Sequence, residues 1–391
     1  MTQGRGLVAI TGANGTIGYA CVVHALRAGY RVRCIVRRES AIESIERGPS
    51  LQEFLGRDRH PNPEERDGQE KDSIEFAVVP DNTAPGAYDK ALSGVRFVVH
   101  VAGVWPMPHY DPDTEIYEPF VKSMDNILQA AKKSGTVRRV VFTQAGAALV
   151  NPDDGDTLGT DMQLVLDEHV QVNPSVATMH PPIPSPHHAY CAAKARCMTH
   201  LRSISRSCQD TPSSPSPYPF SIIQIIPGTV IGPSELITSP KEAKEKMDRM
   251  SKAVLFNTPK PRYLFGFVHV EDCATVHVNA LDEERVTDEE LRKVDWLIAA
   301  GTSPVGWTGR DVWGEAAEMV DREFKGEVQR GVFEVGWDKM PINMPYRVDS
   351  TRTEKLVLGG EAMRGFAECV REVAEWYLGL LKLEQKGEGR G

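Results

Sequence analysis

A β-forming run that breaks into glycines constrains this chain more than anything else in it. Residues 6–11 (GLVAIT) meet Gly12 and the cluster Ala13, Asn14, Gly15, Thr16, Ile17, Gly18, and an amphipathic stretch over 19–28 follows. That order predicts strand, tight turn, helix. Gly12, Gly15 and Gly18 form G-x-x-G-x-x-G behind Thr11. Without side chains at these positions the turn can tighten, a pyrophosphate can approach bare amides, and the helix can pack on the strand with its positive end toward the phosphates. Thr11, Gly12, Asn14, Gly15, Thr16, Ile17 and Gly18 are therefore the expected contacts of a dinucleotide. Three glycines in a turn are by themselves only a turn, and the next segment supplies the context. Residues 30–36 (YRVRCIV) alternate like a second parallel strand at the spacing a βαβ unit requires.

The end of that second strand bears on which dinucleotide. An NAD site places a carboxylate there for the ribose 2′-hydroxyl, whereas here Val36 is followed by Arg37 and Arg38. A planar guanidinium suits a 2′-phosphate through charge-assisted bonds, so the expected cofactor is NADP. The alternative is that both arginines are solvated surface charges.

Further strand-like runs at 73–79, 95–103 and 138–146 alternate with helical patterns such as 115–133. This predicts the α/β class, a Rossmann-type doubly wound parallel sheet. Asp81 is placed to hydrogen-bond an adenine, and Ala102 and Gly103 to let backbone lie close to the cofactor; ordinary strand-end chemistry accounts for each equally well. Residues 56–72 (GRDRHPNPEERDGQEKD) read as an exposed insertion, and the proline- and serine-rich 203–219 as a surface loop before a sixth strand, FSIIQII. The expected division is a cofactor domain over 1–232 and 264–304, with a smaller C-terminal substrate-binding lobe over 233–263 and 305–391.

Composition removes other classes. Fifty-four acidic against forty-five basic residues in 391 give a net charge of −9, so no broad positive field exists for nucleic acid or an anionic membrane surface. Seven scattered cysteines with no C-x-x-C pair point to free thiols, hence a reducing, cytoplasmic setting, rather than a disulfide framework or a structural zinc site. No apolar run has the length to cross a bilayer, and no export signal opens the chain. H-E-x-x-H, G-x-S-x-G and the P-loop pattern are missing, so no metal is expected.

The strongest chemical pair is Tyr190 and Lys194 in HHAYCAAKARC. Four residues apart on a helix, both side chains project from one face. A phenol's ordinary pKa of about 10 is too high for acid-base work near neutrality, and a neighbouring ammonium lowers it. Most Y-x-x-x-K pairs are structural; this one follows a nucleotide fold at the right place in the strand order.

TGANGTIG, the Tyr190/Lys194 pair, IIPGTVIGP (225–233) and FVHVEDCATVHVNAL (267–281) together resemble the extended short-chain dehydrogenase/reductase (NAD-dependent epimerase/dehydratase) superfamily. The likeness is greatest to its branch of dihydroflavonol reductases, cinnamoyl-CoA reductases and fungal aldehyde or ketone reductases. It spans nearly the whole chain. The resemblance implies that Tyr190 exchanges a proton with the substrate oxygen, that Lys194 lowers its pKa and holds the nicotinamide ribose, and that Pro227, Gly228, Thr229 and Val230 approach the carboxamide. It also implies a supporting role for Asn126, a mainly structural one for His269 and Asp272, and a small carbonyl or alcohol substrate for a monomer or homodimer.

The family pattern breaks at one place. Its third catalytic residue is a serine, third after the phenylalanine of a phrase like VFTSS, and here that position holds Ala145. An alanine cannot hydrogen-bond a carbonyl oxygen, and removing one such donor typically slows an enzyme about 10²–10³-fold. Thr143 shares Ala145's face by alternation but lies roughly 6–7 Å further back. Gln144 points to the opposite face unless the chain turns. Either is a candidate replacement and therefore a candidate catalytic residue, as are Ser185 and a water. The resulting expectation is an NADPH-dependent reductase of aldehydes or ketones. Epimerase, dehydratase or isomerase chemistry and a catalytically weak NADP-binding protein remain as alternatives.

Overall fold

A computed structural model describes residues 5–58, 73–153, 161–210, 217–262 and 265–388. The chain divides into two compact units, the first made of residues 1–154, 169–226 and 274–297 and the second of the remainder.

In the first unit β1 (Leu7–Thr11), α1 (Thr16–Arg27) and β2 (Arg31–Val36) form the expected βαβ unit. Every residue of β1 is buried, and β-branched and aliphatic side chains at such sites each contribute about 1.5–3 kcal/mol on burial. Helices α2 (Ser40–Glu46) and α3 (Pro49–Asp58) lead to β3 (Ile74–Val78). Of the charged insertion, 56–58 end α3 and 59–72 lie outside the described residues.

β4 (Phe97–His100) runs into a loop and a π-helical turn, Pro112–Tyr117, before α4 (Glu118–Ser134). β5 (Arg139–Thr143) ends in a 3-10 turn, Gly146–Ala148. After β6 (Asp161–Leu166), which belongs to the second unit, come α5 (Pro174–Ala177), α6 (Pro186–Asp210) and β7 (Ser221–Pro227). The loop expected from 203 is instead the last part of α6, which continues to Asp210. The alanine-rich helix outruns the serines that signalled its end, and 211–216 lie outside the described residues.

The sheet order is β7-β5-β4-β1-β2-β3, with β10 (Leu297–Ala299) as the edge strand beside β7. The pairs β2–β3, β1–β2, β1–β4, β4–β5 and β5–β7 are all parallel. This is the doubly wound Rossmann-type order, and its direction reverses between β1 and β4, where such folds open a crevice at the carboxyl ends.

The second unit holds a short parallel pair, β8 (Thr229–Ile231) on β9 (Phe267–His269), and another, β11 (Met344–Val348) on β6. Helices α7 (Pro240–Lys246) and α8 (Arg249–Phe256) are separate, because Asp248 Oδ1 accepts from the amides of Met250 and Ser251 and starts the second. α9 (Val270–Asn279) runs from the second unit into the first, where α10 (Asp288–Leu291) precedes β10. α11 (Gly309–Glu323), α12 (Lys325–Gln329), α13 (Thr351–Val357) and α14 (Phe366–Glu388) complete the chain. Phe267, Trp313, Phe333 and Phe366 centre an aromatic core there, with Phe267 and Phe366 stacked at 4.0 Å. No helix among the described residues is long and apolar enough to cross a membrane.

Candidate active site

The glycine turn closes tightly at the crevice. The Gly15 amide donates to the Gly12 carbonyl at 2.9 Å, and Gly12 sits at φ +67° beside Ala102. A Cβ on Gly18 would stand 2.0 Å from the Gly12 carbonyl oxygen, so only glycine lets α1 approach the turn. Gly15 caps α1 with no side-chain bond, and the first turn carries no acid. Asn14, Gly15 and Thr16 are exposed and Ile17 half-buried. A bare turn at an uncapped helix N-terminus fits a pyrophosphate.

Thr11 shows how β1 and β4 are joined. Its Oγ1 accepts from the amides of Val101 and Ala102, both at 3.1 Å, and lies 2.9 Å from His100 Nδ1. With both lone pairs in use, the hydroxyl proton goes to Nδ1, which leaves the His100 proton on Nε2. Nε2 faces Ser123 Oγ at 3.4 Å, and Ser123 meets the Tyr88 hydroxyl at 3.1 Å. Burial, then the charge of Lys194, push the His100 pKa down to about 3, so the ring is neutral. The sequence reading passed over His100. Its signal was a lone histidine inside an apolar strand run.

Gly103 lies against Phe120. A Cβ there would meet the Phe120 ring at 2.7 Å, so a side chain makes the glycine necessary. Asn126 Nδ2 donates to the carbonyls of Asn82 and Ala84, both at 2.9 Å, and ties the loop after β3 to α4. In that loop Asp81 Oδ1 accepts from the amide and hydroxyl of Thr83, and these bonds hold its carboxyl below the usual range. Arg37 and Arg38 are exposed, and neither is in an ion pair among the described residues.

Tyr190 and Lys194 lie in α6, as the pattern predicts. The Tyr190 ring packs edge-on to Phe120 at 5.6 Å and tilted to Trp105 at 6.1 Å; Trp105 is 60% exposed. Lys194 is buried. Its Nζ donates to the Thr143 carbonyl at 2.9 Å and stands 4.7 Å from the Phe120 ring centre. Burial lowers its pKa to about 8, which still leaves the cation dominant at neutrality.

The two side chains weighed against Ala145 are both engaged in the core. Thr143 Oγ1 is 2.9 Å from His277 Nε2, and Gln144 Nε2 donates to Gln224 Oε1 at 2.8 Å. Backbone stays extended through Ala145 before the 3-10 turn, so Gln144 faces away from Thr143 as alternation requires. Ser185, in contrast, lies outside the sheet at the start of α6. Its Oγ is 2.7 Å from His188 Nδ1, and His188 Nε2 is 2.8 Å from Asp153 Oδ1. That chain of contacts was invisible in the sequence, since thirty-odd residues separate Asp153 from the helix.

Pro227, Gly228, Thr229 and Val230 belong to the second unit. A Cβ on Gly228 would meet Gly266 backbone at 2.7 Å, so the glycine lets β8 lie against β9. His269 and Asp272 both meet Arg364. The guanidinium contacts His269 Nδ1 and lies 3.3 Å from Asp272 Oδ1, and Glu372 Oε2 is 3.1 Å from His269 Nε2. Burial and Arg364 lower the His269 pKa to about 4. No group of three or more metal-ligating side chains occurs among the described residues. Six of the seven cysteines are described, all free and buried.

Known proteins resemble this chain over most of its length. The NAD-dependent epimerase/dehydratase ALT6 of Alternaria alternata is 29% identical over 95% of this chain and 97% of its own length. FUM13 of Gibberella moniliformis, which bears the same description, is 31% identical over 84% of this chain and 83% of its own. Ketoreductase CTB6 of Cercospora nicotianae is 26% identical over 98% and 97%. Among solved structures, yeast methylglyoxal/isovaleraldehyde reductase Gre2 complexed with NADPH superposes with a TM-score of 0.66 at 21% identity, covering 98% of this chain and all of that one. The profile of the NAD dependent epimerase/dehydratase family matches residues 8–292, and the chain belongs to that family.

Proposed function

We propose that the protein is an NADPH-dependent reductase that converts an aldehyde or ketone to an alcohol, reversibly, with Tyr190 as the general acid and base. The observation that carries this reading is the buried Lys194 cation. It is held by the Thr143 carbonyl one helical turn from a phenol that packs against Trp105 and Phe120. A buried charge needs a reason, and stabilising the phenolate left by proton transfer is one.

The cofactor residues follow the same logic. Thr11, Gly12, Asn14, Gly15, Thr16, Ile17 and Gly18 form the pyrophosphate cradle, and the exposed Arg37 and Arg38 take the 2′-phosphate. Asp81, Ala102 and Gly103 line the adenine and ribose side. When bound, reduced nicotinamide supplies the hydride. Tyr190 gives its proton to the substrate oxygen, and Lys194 holds the resulting phenolate. Trp105, exposed beside Tyr190, offers a flat apolar face to an aromatic carbonyl compound.

A second reading, epimerase or dehydratase chemistry, draws on Ala145. Without the usual donor, Tyr190 would move protons on a substrate that loses water or rearranges. Titration with NADPH and NADH, followed by a carbonyl screen for loss of nicotinamide absorbance, decides between them. The reductase reading expects NADPH to bind more tightly and a Tyr190-dependent turnover. Binding without turnover on any carbonyl, with a substrate that dehydrates, would replace it by the second reading.

A further inference from the structure

The reductase reading leaves the substrate oxygen one donor short. Ala145 has no polar side chain, and Thr143 and Gln144 are engaged with His277 and Gln224. The segment just ahead of Tyr190 holds a hydroxyl in an unusual setting. It is tied on one side to the π-helical turn, where the Ile183 amide donates to Asp113 Oδ1 at 3.0 Å. On the other side His188 ties it to Asp153, eight residues beyond Ala145. The segment that holds Ser185 is thus bonded to the chains that leave both β4 and β5.

Proton bookkeeping in this trio has two solutions. A carboxylate only accepts, so His188 Nε2 donates to Asp153. With the ring neutral, Nδ1 is an acceptor, and the Ser185 hydroxyl must donate into it at 2.7 Å. With the ring protonated, Nδ1 donates as well. Ser185 Oγ then accepts from Nδ1 and from the His188 amide at 3.3 Å, and its own proton is released to point elsewhere.

We propose that Ser185 is the hydrogen-bond donor to the substrate oxygen in place of Ala145, and that protonation of His188, held by Asp153, turns its hydroxyl outward. This rests on the reductase reading. Ser185 donates a hydrogen bond and keeps its proton; the transferred proton still comes from Tyr190. His188 and Asp153 are positioning residues. The imidazole is suited to this, because it can carry a proton on one ring nitrogen or on both.

The surroundings leave Asp153 as the charged partner. The 3-10 turn Gly146–Ala148 and α5 carry no ionisable side chain. The π-helical turn carries Asp113, Glu115 and Tyr117, and the nearer end of α4 carries Glu118, Lys122 and Asp125. None of these is hydrogen-bonded or ion-paired to His188 among the described residues. Capping alone is the plainer role for a serine here, since the His188 amide bond to Oγ is an N-cap bond.

Glycine caps nearly as well as serine but has no hydroxyl, so Ser185→Gly separates the two roles. With NADPH and an aromatic aldehyde, the proposal expects kcat to fall about 100-fold in Ser185→Gly while the melting temperature and NADPH Kd stay near wild type. Ser185→Thr should retain most of the activity. The wild-type kcat/KM should rise with falling pH; His188→Gln should lose that rise, and Asp153→Asn should weaken it. Wild-type kcat in a stable Ser185→Gly protein, or a pH profile unchanged by His188→Gln, would overturn the proposal and leave the reductase reading standing. Undiminished turnover in Tyr190→Phe would overturn the reductase reading instead.

Discussion

The carboxyl ends of β1 and β5 are built on opposite plans. After β1 the chain is bare backbone: Gly12, Gly15 and Gly18 leave room that side chains would fill, and Thr11 spends its hydroxyl on the amides of Val101 and Ala102. After β5 the chain depends on side chains, and there the usual residues have changed. Ala145 offers no hydroxyl, and the side chains of Thr143 and Gln144 engage His277 and Gln224. A site made of backbone tolerates few substitutions and so stays recognisable. A site made of side chains can be rewritten while the fold persists.

The sharpest way to break this contrast is at Gly18. Gly18→Val would force a side chain into the Gly12 carbonyl and should abolish NADPH binding, read by fluorescence titration, with circular dichroism confirming the fold. Binding within a few-fold of wild type would refute the backbone account. On the β5 side, Lys194→Met removes the cation held by Thr143. We expect kcat to fall about 10³-fold, within the range for lost acid-base support, and NADPH affinity to weaken less.

His100 tests the link between the two ends through stability. Its folded pKa of about 3 lies below the ordinary 6.5, so the unfolded chain binds the extra proton between those values. Stability should be complete above about pH 6.5 and fall by roughly 1.4 kcal/mol per pH unit toward pH 3. Urea midpoints measured against pH should show this slope in the wild type and a flatter one in His100→Gln. The smallest expected effect is at the end of β2. Arg37→Ala with Arg38→Ala should weaken NADPH binding about 10–100-fold and leave NADH unchanged, because only the 2′-phosphate is lost as a partner. Equal weakening of both nucleotides would make the arginines general surface charge.

The sequence was legible where geometry is dictated by backbone. The β1 turn and the alternation of strands and helices that makes a doubly wound sheet followed from glycine spacing and hydrophobic period. It was less legible where partners come from afar. β6 and β11 pair across nearly two hundred residues, and neither carries a strong alternating pattern. The Asp153, His188 and Ser185 chain and the His100 network likewise join residues that spacing cannot connect. Loop signals also failed at 203–210, where serines in a long helix were read as its end. Serine favours turns only weakly, and packing of α6 on its neighbours decides otherwise.

The phenol of Tyr190 as proton donor beside a transferred hydride is tested most directly by isotope. NADPH carrying deuterium at the transferred nicotinamide C4 position, incubated with an aromatic aldehyde, should place the label on the carbinol carbon with the wild type. Tyr190→Phe should bind the cofactor within a few-fold and transfer almost none. Product formed without label, or label transferred at the wild-type rate by Tyr190→Phe, would contradict the account.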